Sequence, residues 1–122
     1  MKCFGLLAIV CCMSRFSVAG TFMTGNTFMD KCANVSAETG NSVDFGYCVG
    51  YVEGVSDMID MEQTRVNVDG STNKAYICTS PDVTAGQMLR VVQKFIKDHP
   101  ETQHYAAPAL INNAFVKAFP CK

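Results

Sequence analysis

The placement of cysteine constrains this chain more than any other feature. Seven cysteines fall into two groups: Cys3, Cys11 and Cys12 lie in an N-terminal apolar run, and Cys32, Cys48, Cys78 and Cys121 are spread over the rest. The first group sits in what reads as a secretory leader. Met1-Lys2 is a short positive start, residues 3–13 carry no charge, and Ser17-Val18-Ala19 puts small residues at the positions a signal peptidase reads. The apolar run is shorter than the roughly 20 residues needed to span a bilayer. Val10 before Cys11, and Cys11 before Cys12, do not offer the small residue expected ahead of a lipidated cysteine. Residues 1–19 are therefore expected to be removed, leaving residues 20–122 as one domain outside the cytoplasm.

An even set of four cysteines in an exported domain of this size predicts two disulfides. Successive separations of 16, 30 and 43 residues contain no C-x-x-C pair, which disfavours a metal site, and no metal or other cofactor is expected. Removing the leader takes away Lys2 and Arg15. Eight basic side chains then stand against eleven acidic ones, a poor match for nucleic-acid phosphates. No later run is long and apolar enough to span a membrane.

Four segments carry helical periodicity, and none alternates as a sustained strand would. Phe22, Gly25, Met29 and Cys32 mark the first. Cys48, Tyr51, Val52, Val55 and Ile59 form the stripe of the second, which opens at Gly40-Asn41-Ser42. The third begins at Thr84, where Thr84-x-x-Gln87 is a capping-box pattern, and carries Met88, Val92, Phe95 and Ile96 up to the stop at His99-Pro100. The fourth shows Ala107, Leu110, Ile111, Ala114, Phe115 and Ala118, with Pro108 near its start. The expected fold is all-α: a bundle of about four helices tied by two disulfides, with a long loop from about Met61 to Val83 between the second and third. Val66-Asn67-Val68 and Ala75-Tyr76-Ile77 could pair as a hairpin across Asp69-Gly70-Ser71. Four cysteines allow three pairings. Antiparallel helix neighbours favour Cys32–Cys48 and Cys78–Cys121, each worth about 3–4 kcal/mol by loop-closure entropy, while the other two pairings stay open.

Catalytic chemistry finds little to stand on, and the chain is not expected to be an enzyme. His99 and His104 are the only histidines, and no H-E-x-x-H or G-x-S-x-G motif is present. Paired cysteines leave no thiolate nucleophile. His99 reads more readily as a helix cap. Glu53, Asp57 and Asp60 share one face of the second helix, either as a solvated face or as a patch for a basic partner. Gly46, Gly50 and Gly54 are more unusual, because each glycine inside a helix costs about 0.5–1 kcal/mol relative to alanine. They lie opposite the Cys48–Val55 stripe and predict a close approach by another helix, from this chain or from a second subunit of a homodimer.

Taken in order, these features resemble the Rap1a/Tai immunity proteins. Cys48-Val49-Gly50-Tyr51-Val52-Glu53-Gly54-Val55 is similar to their C-x-G-Y-x-x-G-V block. Cys78, Val83-Thr84, Gln87 and Val91-Val92-x-Lys94-Phe95 resemble a second block, and His99-Pro100-Glu101 with Ala114-Phe115-x-x-Ala118-Phe119-Pro120-Cys121 a third. One departure is that Pro81 lies three residues after Cys78, and Asp82 stands where the family carries glycine. The resemblance implies a periplasmic, all-helical, often dimeric protein of a Gram-negative bacterium. Such a protein binds and blocks a peptidoglycan-cleaving amidase toxin delivered by type VI secretion. A small helical chaperone of the acid-stress kind is the alternative. On the immunity reading, the loop is the expected contact, through Arg65, Asn67, Asp69, Asn73, Lys74 and Tyr76, since polar groups around an aromatic suit an interface.

Overall fold

A computed structural model describes residues 23–122; the leader and Phe22 lie outside the described residues. Four helices follow in order: α1 Gly25–Cys32, α2 Ser42–Thr64, α3 Ala85–Asp98 and α4 Ala107–Ala118, with a single 3-10 turn at Pro100–Thr102 before α4. Among the described residues strand-like pairing is confined to three isolated bridges. The all-α expectation holds.

Each helix starts where its side chains can hold it. Thr24 Oγ1 accepts the Thr27 amide at α1, Asn41 Oδ1 accepts the Asp44 amide at 2.8 Å at α2, and Thr84 Oγ1 accepts the Gln87 amide at 3.2 Å at α3. Pro108 sits in the first turn of α4, where its missing N–H costs nothing. The ends are capped from a distance as well. Gln93 Nε2 on α3 donates to the carbonyls of Cys32 and Val35 beyond α1, and Gln103 Nε2 donates to Ile96 O at 3.0 Å. His99 Nδ1 lies 2.7 Å from Phe95 O and so carries its proton there, the helix-capping role expected of it.

The core runs through all four helices. Phe28, Cys32, Val52, Leu89, Val92, Ile96, Leu110, Ile111 and Phe115 are fully or almost fully buried. The stripes are close to those expected, rotated slightly: Phe28 and Leu89 carry core positions, whereas Met29, Met88 and Phe95 are half-buried at the edge and Ala118 is exposed. The disulfides are Cys32–Cys48, which closes α1 onto the second turn of α2, and Cys78–Cys121, which ties the segment before α3 to the chain after α4. Gly25 shows why one glycine is required. A Cβ there would meet Leu110 Cδ1 at 2.5 Å and Gln103 O at 2.8 Å, because α1 starts directly against the 99–106 connector. Met23 O accepts the Ala107 amide at 2.9 Å, and the Gly25 amide donates to Tyr105 O at 2.9 Å.

Two possibilities that the sequence leaves open are narrowed. The hairpin does not pair residues 66–68 with residues 75–77. Val66 bridges to Thr72 across a tighter turn, and Ile77 bridges instead to Pro120, because Ile77 is buried and is drawn into the core beside α4. The glycines of α2 have no helix of this chain against them. A Cβ on Gly46, Gly50 or Gly54 would meet nothing within 4 Å.

Candidate functional site

The long connector begins at Arg65, since α2 continues through Thr64. Its outer part is a braced turn. The Asn67 amide donates to Ser71 O at 2.7 Å and the Gly70 amide to Asn67 O at 2.9 Å. Gly70 supplies the φ of +82° the turn demands, a region that L side chains rarely enter. Asp69 Oδ1 accepts from both the Ser71 amide, at 2.9 Å, and the Ser71 hydroxyl, at 2.6 Å. Those bonds to Ser71 hold the Asp69 carboxyl below the usual aspartate range. Asn67 Nδ2 donates to Ser71 Oγ and to Asn73 Oδ1, and Asn73 Nδ2 donates to Glu62 O at 2.7 Å, so the turn is fastened to the end of α2.

The six residues expected to contact a partner are therefore brought together on one loop, but most of their polar atoms are spent inside it. Asn67, Asp69 and Asn73 build the turn. Arg65 pairs with Glu62 at 2.7 Å, and Tyr76 Oη donates to Asn112 Oδ1 of α4 at 3.1 Å. Lys74 is exposed. The residues that project are Val66 and Val68. Val68 has a relative exposure of 110%, beyond that of an extended reference chain. Sequence reasoning read both valines as strand formers. The available signal was their position beside Asp69-Gly70, where a turn puts neighbouring side chains at its tip.

Beside the loop, Met58, Ile59, Glu62, Tyr76, Pro108 and Asn112 line an apolar groove of about 370 Å³ between α2 and α4. On another side of α2, Glu53, Asp57 and Asp60 face the 79–83 segment across an open groove of about 460 Å³. The turn at Ser80–Val83 closes with the Val83 amide on Ser80 O at 3.0 Å and needs no positive φ, so Asp82 fits it without strain. The outer face of α2 carries exposed Val43, Tyr47, Met58 and Met61 interleaved with Gly46, Gly50 and Gly54. Half-buried Tyr51 packs its ring 6.2 Å from Phe28, and burial first, then neighbouring Tyr47, pushes its phenol above the usual range. Among the described residues, no three His, Cys, Asp or Glu side chains converge as a metal would require, and no helix is long and apolar enough to cross a membrane.

The arrangement defines a class: a small disulfide-tied helical scaffold that presents a braced loop with an apolar tip. A family model for Rap1a immunity proteins matches residues 24–121, and the chain belongs to that family. Its role is accordingly that of an immunity protein, which acts by binding a toxin. No curated protein and no solved structure matches the chain.

Proposed function

We propose that this chain is exported to the periplasm, loses residues 1–19, and there blocks a peptidoglycan-cleaving amidase delivered by type VI secretion, by seating the Arg65–Ile77 loop in the toxin's cleft. The observation that carries this reading is Val68. With Val66 it stands exposed at a hydrogen-bonded turn, where cover by a partner would add apolar burial. The bracing around it lowers the ordering cost that binding would otherwise incur. Arg65, Lys74 and Tyr76 flank the tip and supply polar and aromatic contact.

The test is Val68→Asp, with the binding probe to be an exported peptidoglycan amidase sought among the genes beside this one. The variant should keep its melting temperature, because Val68 packs against nothing, and lose at least tenfold in affinity, about 1.4 kcal/mol. Undiminished binding would reject the loop, and the absence of any such neighbouring gene would reject the amidase.

The outer face of α2 supports a second element of the reading, a homodimer. Glycines open to solvent beside four exposed apolar side chains suit close packing against the same helix of a second copy. Sedimentation of the wild type and of Gly50→Leu tests this, with only the wild type expected to associate.

A further inference from the structure

Val68 makes no contact that could hold it in place, so its position is inherited from the two arms of the loop. The leading arm grows directly out of α2. The trailing arm, residues 73–78, pairs with a neighbouring segment only at its end, where Ile77 bridges to Pro120, yet it carries Ile77 into the core.

One side chain takes the place of a longer pairing. Gln63, in the last turn of α2, is the only polar residue buried among the described residues, at 7% exposure. Its Oε1 accepts the amides of Tyr76, at 2.8 Å, and Ile77, at 2.7 Å, while its Nε2 donates to Ile77 O at 3.3 Å. A primary amide is suited to this because it offers an acceptor with two lone pairs and a donor on one planar group. The reverse orientation would set its NH2 group against two N–H donors. Further along, the Cys78 amide donates to Phe119 O at 2.8 Å, and Cys78 is bonded to Cys121. Asn73, at the other end of the arm, is held by the carbonyl of Glu62, the residue before Gln63.

From this geometry we infer that Gln63 is a positioning residue for the binding loop: it locks the trailing arm to the end of α2 and so sets where the Val68 tip stands, without touching the partner. This rests on the loop reading above. Gln63 is too buried to add contact area, so its effect on binding must travel through the backbone of residues 73–77.

The test compares backbone amide exchange and binding to the same amidase for the full chain and two variants. Gln63→Leu removes the donor and the acceptor; Gln63→Glu keeps the acceptor for both amides. Gln63→Leu should speed exchange at Tyr76, Ile77 and through residues 66–75 at least tenfold more than in α3 and α4, and should weaken binding at least tenfold. Gln63→Glu keeps the acceptor but sets its second oxygen against Ile77 O and the Asp60 carboxylate, so it should fall between the wild type and Gln63→Leu in both loop protection and binding. Should Gln63→Leu fail to fold, Asn73→Ala, a change at the surface end of the same arm, should loosen the loop and weaken binding in the same direction. Exchange that rises evenly over all helices, or not at all, would overturn the inference, since a core filler would act that way. If Val68→Asp abolishes binding while Gln63→Leu loosens the loop and binds normally, the positioning role alone falls. If neither variant changes binding, the loop reading falls with it.

Discussion

Replacing Gly50 by alanine should make the isolated chain more stable, and the size of the gain follows from what surrounds it. Gly50 lies in the middle of α2 with a negative φ, so alanine adopts its backbone without strain. An added Cβ would meet nothing within 4 Å, so no packing is lost. What remains is intrinsic helix propensity, which favours alanine over glycine by about 0.8–1 kcal/mol in a helix interior. For a domain of this size that corresponds to a rise in Tm of about 4–8 °C. Thermal unfolding followed by circular dichroism, at a dilution where sedimentation shows monomer only, measures it. Gly25→Ala is the control of opposite sign. Its Cβ would lie 2.8 Å from the backbone oxygen of Gln103, which cannot swing aside as Leu110 can, and overpacking of this kind costs about 1–3 kcal/mol. A Gly50→Ala chain that melts lower than wild type at that dilution would refute the reasoning, because some part of the same chain would then have to occupy the outer face of α2.

Two further outcomes follow from burial and charge. Cys32 and Cys48 are 0% and 1% exposed whereas Cys78 is at the surface, so limiting reductant should open Cys78–Cys121 first; alkylation and peptide mass mapping should find label at Cys78 and Cys121 before Cys32 and Cys48. The lowered carboxyl pKa of Asp69 means that its contribution to turn order is complete above the ordinary aspartate value of about 3.9 and is lost as pH falls through the lower folded value. A carboxyl titration by NMR should place the Asp69 midpoint below that ordinary value, with the Ser71 amide shifting in step, and an ordinary midpoint would contradict the bonds to Ser71.

The local signals in the chain were sufficient for the helices. Apolar residues three and four apart place α2, α3 and α4, Thr84 with Gln87 marks the start of α3, and His99-Pro100 marks its end, because caps and periodicity act over a single turn and need no distant partner. The spacing of the cysteines and the antiparallel order of the helices pointed to Cys32–Cys48 and Cys78–Cys121, and these are the bonds formed. Tertiary structure alone decided the loop. Whether Asn67, Asp69 and Asn73 point to solvent or into their own turn depends on the backbone path, and that path is imposed by Gln63, Asn112 and Phe119, which lie 14, 36 and 41 residues away in sequence from the groups they hold. The glycines of α2 show the same division. Their spacing announced a helix face unlike the others, but only the assembled bundle shows that its own helices pack on the opposite side, because four short helices around one core leave the outer face of α2 to solvent or to a partner.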